Sequence, residues 1–385
     1  MRLDSAALWL PCLGVVLFEL LFGGAAEISL GFGLGVLFVF HVGWESLHDS
    51  TARANSLRKV TMLAQALAHL ALSRDKKWSK KKLPEPDLIK GLPANKSVRI
   101  VFVRHGESIW NEIFNKGKAK LLPRLFLALL REGFMWPSED SIFFDSPLND
   151  EGIAQARKLH GFVEKEWLAA GAPLPQDPKK AHRQQMLDIL TGAPGAPSSI
   201  LVASNLRRAI QTLVVAVWGR LCRSGEKIHV LSSLQEVTFN VDGLGLAKRK
   251  EIPEMGGIGG VPELQGAFGA DAKQGTVSRC FDANLQFGSK PLFGTNGLKR
   301  MHAFCEWASK RKENTIIIGG HSLWFRSFFR TFLPSSSKEH VAYRKKMVNC
   351  GVVSFTLHFG SKDGKKIHRI DPDSICSITG GFEGK

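Results

Sequence analysis

The tightest constraint on this chain's fold is a set of short apolar runs: 98–103, 200–203 (ILVA), 228–231 (IHVL), 315–319 (TIIIG) and 352–358 (VVSFTLH). β-Branched and aromatic residues in runs this short pack well as buried strands. Helix-period patterns lie between them, at 150–169, 205–222, 297–312 and 322–333. Strands alternating with helices predict an α/β domain with a largely parallel sheet flanked by helices. Such a sheet gathers the carboxyl ends of its strands along one edge, where ligands bind. The residues that follow each run are therefore the place to look for chemistry.

The first run leads into VFVRHGESIWNE, 101–112, which places Arg104 and His105 at a strand end. ILVASNLRRAIQT, 200–212, offers Ser204 as an N-cap and puts Arg207 and Arg208 in the first turn of a helix, a ready anion site. TIIIGGHSLWFRSFF, 315–329, carries a second histidine, His321, between two glycines and a helix start, with Arg326 beyond. IHVLSSLQEVTFN, 228–240, is followed by a loop bearing Glu236. A buried histidine is often only a hydrogen-bonded core residue and a surface arginine is common, so each stretch alone is unremarkable. Four strand ends that together supply two histidines, a pair of guanidinium sites and a carboxyl form a constellation suited to a phosphoryl-like anion.

At these residues the chain resembles the histidine phosphatase superfamily, the phosphoglycerate mutase-like proteins. RHGE at 104–107, SPLNDEGIAQA at 146–156, SNLRRAIQT at 204–212, LQE at 234–236, GH at 320–321 and NCGVVSF at 349–355 occur in family order. The resemblance spans about residues 97–358 and is thin over 113–144 and 237–295. It implies His105 as nucleophile, Arg104, Arg208 and His321 as the phosphate clamp, Asn111 as a further donor and Glu236 as proton donor. The chemistry agrees: a neutral imidazole can attack phosphorus when its other nitrogen is tied as a donor. Guanidiniums neutralise the charge on the transferring group, and a carboxylic acid serves the leaving oxygen. Such a scheme needs no metal and no cofactor. The acid is followed by VTFNVDG, without the Arg and Tyr that mutases use for a sugar-acid phosphate, and Tyr343 is the sole tyrosine. Ser322 and Leu323 follow His321 where the family often has Gly and Asn. The expectation is a phosphomonoesterase working through a phosphohistidine on a substrate of unknown class. The alternatives are a mutase-type phosphotransfer and a non-catalytic membrane-bound adaptor on the same fold.

Upstream of this region, residues 6–43 are nearly all apolar, which predicts an N-terminal membrane anchor or signal-anchor within 1–50. Residues 51–96 read as a basic juxtamembrane helix and linker, with Leu57, Val60, Leu63, Leu67 and Leu70 at helical spacing, the run RDKKWSKKK at 74–82 and a proline-rich stretch at 83–97. This flank, within a chain of net charge +17, suits an anionic membrane surface on the cytosolic side, with secretory or organellar targeting as the alternative. Neither zinc-finger spacing nor an RNP-like aromatic motif accompanies the charge, so nucleic acid is not expected as a partner. The six cysteines show no CxxC pair and read as free thiols. The catalytic domain is expected over 97–360, with an irregular insertion at 237–295, and residues 361–385 are a tail without evident role.

Overall fold

A computed structural model describes residues 38, 40–80, 96–117, 119–168, 176–253, 255, 280–362 and 364–384. One sheet organises them, with β1 (Lys96–Arg104), β2 (Ser199–Ser204), β3 (Ile228–Leu231), β4 (Phe281–Asp282), β5 (Thr315–Gly320), β6 (Val352–Lys362), β7 (Lys365–Ile370) and β8 (Cys376–Thr379). The order across it is β4-β3-β2-β5-β1-β6-β7, with β8 also paired to β6. Strands β4, β3, β2, β5 and β1 run parallel, whereas β6, β7 and β8 are antiparallel additions.

Successive residues of β1 face opposite layers, as the pleat requires. Ile100 and Phe102 pack with Phe304, Trp324, Phe325 and Phe328 from α-helices at Gly297–Ser309 and Ser322–Phe332. Val101 and Val103 pack on the other side, with Ala156, Leu159 and Val163 from the helix Asp150–Leu168 and Leu213 and Val214 from the helix Arg207–Ala216. The Phe102 ring stacks on Phe325 at 3.9 Å between centroids and meets Trp324, Phe328 and Phe355 edge-on. Truncating a ring so enclosed would cost about 3–5 kcal/mol. Both layers covered, the parallel strands read in the sequence as unbroken apolar runs.

Three parts of the chain depart from expectation, and the first is β4, a parallel edge strand within the span 237–295 that was expected to be an irregular insertion. Residues 365–379, taken as tail, add two strands to the sheet through a hairpin at Gly364, whose φ of +74° favours glycine. The edge sequence KKIHRI is too polar to announce itself as a strand, and that polarity protects an edge. The helix Ser50–Leu72, α1, is not a detached juxtamembrane element. It packs on the domain with Ala52, Ser56, Lys59, Met62, Ala66 and His69 inward, while Leu57, Leu67 and Leu70 stay exposed. Three leucines of the stripe thus point out, while Leu63 packs partly against the cluster of Met62, Ala66, Phe144, Leu244 and Leu246 on the inward side. Lys59 decides this: its ammonium donates to the carbonyls of Met135 (2.6 Å) and Asp140 and lies 3.7 Å from Glu132. Among the described residues no helix is long and apolar enough to cross a membrane. The expected anchor falls largely on residues outside the described ones, as do residues 254 and 256–279 of the insertion expected at 237–295.

Candidate active site

β1 is held to its last residue. Arg104 N–H donates to Gly351 O (3.1 Å) and His105 N–H to Gly320 O (3.0 Å), so the chain leaves the sheet between the ends of β5 and β6. The turn that follows is fixed by contact between two glycines. A Cβ on Gly106 would lie 2.6 Å from Gly152 O, and one on Gly152 would lie 2.0 Å from Glu107 O. The glycine of RHGE and that of NDEG are therefore one packing unit. Gly106 N–H also donates to Thr212 Oγ1 (3.0 Å), whose hydroxyl donates to Arg208 O (2.8 Å), tying this loop to the helix that carries Arg208.

His105 is buried, and its Nδ1 lies 2.6 Å from Gly106 O. A carbonyl can only accept, so Nδ1 carries the proton and Nε2 presents a lone pair. Burial, with Arg208 and Arg104 nearby, holds the ring's pKa well below the ordinary histidine value, which keeps that lone pair available. His321 is wholly buried, with ring centroids 5.1 Å from His105. Its Nε2 contacts Ser204 Oγ at 2.8 Å, while Nδ1 has no hydrogen-bond partner among the described residues. Burial first, then Arg208, His105, Lys290 and Arg104, also pull its pKa well down. An arriving anion would act in the opposite direction. Ser204 does not cap the next helix, as its sequence position suggested; Leu206 occupies the N-cap and Ser204 serves His321 instead.

The adjacent arginines divide their work. Arg207 turns away, donating to Asp145 O and Oδ1 (both 2.8 Å), Ser141 O (2.5 Å) and the Asp140 carboxylate. Arg208 faces the histidines and meets Asp242, donating to its carbonyl (2.9 Å) and lying 3.1 Å from its carboxylate. The sequence did not single out Asp242 as the partner of Arg208. Arg104 donates to Met347 O and lies 3.4 Å from Glu383, so the C-terminal segment reaches the clamp. Asn111, in the helix Ile109–Asn115, accepts from Asn115 through Oδ1 (3.0 Å). Both Arg104 and Asn111 line an open cavity of about 770 Å³, together with Lys158, Lys346 and Glu383. His105, Arg208, Glu236 and His321 lie off its wall.

Glu236 sits over the first turn of the helix Ser322–Phe332. Its Oε1 accepts from Val237 N–H and Trp324 N–H (both 2.8 Å), and Oε2 from Leu323 N–H at 3.4 Å. Burial pushes its pKa above the ordinary carboxylate range, opposed by Arg208 and these amides and assisted by Asp242. Arg104, His105, Glu236 and His321 lie at strand ends or in the loops just beyond the carboxyl edge of the sheet, whereas Asn111 and Arg208 lie in the first turns of the helices that follow. His105, His321, Arg104, Arg208 and Glu236 lie near enough to bear on one another's charge, while Asn111 lies on the cavity side. Among the described residues no three His, Cys, Asp or Glu side chains converge as a metal ion would require, and their five cysteines are free.

No protein-family model and no curated protein sequence matches the chain. Solved structures do. A mycobacterial glucosyl-3-phosphoglycerate phosphatase is 13% identical, covering 71% of this chain and 97% of its own at a TM-score of 0.32. A phosphoserine phosphatase from Entamoeba histolytica is 13% identical, covering 70% and 94% at 0.31. A putative alpha-ribazole-5'-P phosphatase from Escherichia coli is 12% identical, covering 71% and 96% at 0.32. These neighbours are histidine phosphatase superfamily members. Likenesses so distant assign nothing by themselves, and the side chains must carry the functional reading.

Proposed function

We propose that this chain is a phosphomonoesterase that works through a phosphohistidine on His105. The observation that carries the reading is the His105 Nδ1 to Gly106 O hydrogen bond, which leaves a bare Nε2 in a buried site with two guanidiniums, a second histidine and a carboxyl of raised pKa. In the first step Nε2 attacks phosphorus and the P–O ester bond breaks. The leaving oxygen takes its proton from Glu236. In the second, the Glu236 carboxylate takes a proton from water, whose oxygen attacks phosphorus as the P–N bond breaks and phosphate departs. Arg104, Arg208 and His321 stabilise charge on the equatorial oxygens, and Asn111 adds a donor at the cavity. Hydrolysis is favoured over mutase transfer because the residues after Glu236 turn back on the clamp, with Asp242 on Arg208, rather than offering Arg and Tyr to a sugar acid. The test is turnover of a phosphomonoester panel by the full chain, with and without chelator, beside His105→Ala. Loss of turnover in that variant is expected; efficient phosphoglycerate interconversion, or full activity without His105, would sink the reading.

Membrane attachment is part of the same proposal. The apolar residues 6–37 precede a helical stretch, 40–48, on which Phe40, Trp44 and Leu47 are exposed. Beside it, His41 contacts the exposed Phe134 at 5.9 Å between ring centroids. Phe134 ends the helix Leu121–Phe134, which also exposes Leu122 and Leu127. Apolar side chains gathered next to an apolar terminus suit an interfacial seat on lipid. The full chain should float with anionic vesicles in a density gradient, and sedimentation free of lipid would remove this part of the proposal.

A further inference from the structure

Asp75 lies outside the span that carries the sequence motifs, just beyond α1, yet it is 4% exposed and in contact with the loop of the acid. Its carboxylate accepts from Lys290 Nζ (2.9 Å), from both terminal nitrogens of Arg300 (2.7 and 3.1 Å) and from Thr238 N–H (3.1 Å). The two cations then turn to the residue that supplies the acid. Lys290 Nζ donates to Glu236 O at 2.8 Å, and Arg300 Nη2 to Glu236 O at 3.3 Å and Gln235 O at 3.2 Å. Asp75 is itself fixed through its carbonyl, which accepts from Trp78 Nε1 (2.9 Å) and Gly297 N–H (3.2 Å).

Two buried cations beside one another are sustained only by a buried anion, and removing that anion leaves both uncompensated. Here the anion is Asp75. Burial lowers the Lys290 pKa to about 8 even with Asp75 pulling the other way. Asp75 itself sits below the ordinary carboxylate range: burial works to raise it, and Lys290 and Arg300 overcome that. A buried ion cluster far from a site would be read as structural alone. This one grips the main-chain carbonyl of Glu236, one residue's length from the carboxyl that moves the proton.

We infer that Asp75 is a positioning residue for Glu236, acting through Lys290 and Arg300, so that residues upstream of the motif-bearing span complete the catalytic unit. The inference rests on the reading of Glu236 as the general acid. With the anion gone, the carbonyl grip loosens and the carboxyl loses its fixed place against the leaving oxygen. The nucleophile His105 lies on another strand end and is not held by this cluster.

The test uses the full chain and two substituted forms, Asp75→Asn and Lys290→Gln, with glycerol phosphate and p-nitrophenyl phosphate as probes. A misplaced acid should lower kcat on the alkyl ester about 10- to 100-fold, while phosphorylation of His105 by the aryl ester and both KM values stay within about threefold. Asp75→Glu, which restores the anion, should recover part of the alkyl activity. An alkyl-to-aryl ratio unchanged in folded Asp75→Asn overturns the inference. So does failure of both Asp75→Asn and Lys290→Gln to fold, which would make the cluster structural only. If the unaltered chain forms no phosphohistidine from either ester, the phosphatase reading itself has failed and the role of Asp75 falls with it.

Discussion

Replacing Glu236 with Gln removes one proton-carrying group and almost nothing else. The carboxylate receives amides from Val237 and Trp324 at 2.8 Å and from Leu323 at 3.4 Å. A glutamine whose carbonyl oxygen stands where Oε1 is keeps the two short bonds and loses only the long one. The structural cost is then about 1 kcal/mol, and burial without a charge offsets part of it. The catalytic cost is larger. General acid catalysis contributes about 10²- to 10⁴-fold, which is about 3–5 kcal/mol of barrier. That loss should appear in full with an alkyl phosphate, whose leaving oxygen needs a proton. With an aryl phosphate the leaving group departs unaided, so His105 is phosphorylated at near the original rate while water attack on the phosphohistidine is slow. Rapid quenching of the variant into alkali should trap base-stable, acid-labile phosphate on His105. The raised pKa of Glu236 adds a pH signature: in the unaltered chain Glu236 should stay protonated further up the pH scale than an ordinary carboxyl, and alkyl turnover should fall once pH passes that value. Equal loss on alkyl and aryl esters, or label on a serine or aspartate, would refute the assignment of Glu236 and His105.

Nitrogen NMR should find His105 and His321 neutral through pH 6.5, with His105 protonated at Nδ1; because both pKa values are depressed in the fold, the stability they confer is present above about 6.5 and lost as pH falls below it. A His105 ring that titrates at its ordinary value would contradict the geometry. Glu383→Gln frees Arg104 from a competing carboxylate, but that carboxylate is 47% exposed, so the effect is about 0.5 kcal/mol and KM should drop about twofold, measured at low salt. A rise in KM would make Glu383 a substrate contact. Gly152→Ala drives a Cβ into Glu107 O and should cost about 4 kcal/mol or more in denaturant unfolding, together with loss of turnover. A variant of unchanged stability would show that the two glycines are not a packing unit.

The sequence by itself determined four of the five parallel strands and singled out the residues proposed to react; β4 was hidden in a glycine-rich stretch. Apolar runs such as TIIIGG are strands wherever they are buried on both faces, and helix-period segments between them leave one arrangement. His105 was legible because its environment is local: the carbonyl that sets its tautomer belongs to the next residue. What lay beyond the sequence depends on partners distant along the chain. Arg207 and Arg208 are indistinguishable as letters, and only the approach of Asp140 and Asp145 on one side and Asp242 on the other separates a structural arginine from a clamp. The face of α1 could not be read from its leucines, because a buried Lys59 is tolerable only once the carbonyls of Met135 and Asp140 are brought to it. β7 and β8 carry too few apolar residues to stand out, and they form because β6 offers free backbone groups to pair with. Asp75, more than two hundred residues from Lys290 and Arg300, reads in the sequence as one acid in a basic stretch. It became part of the acid's support only when folding removed water from three charges that had to compensate one another.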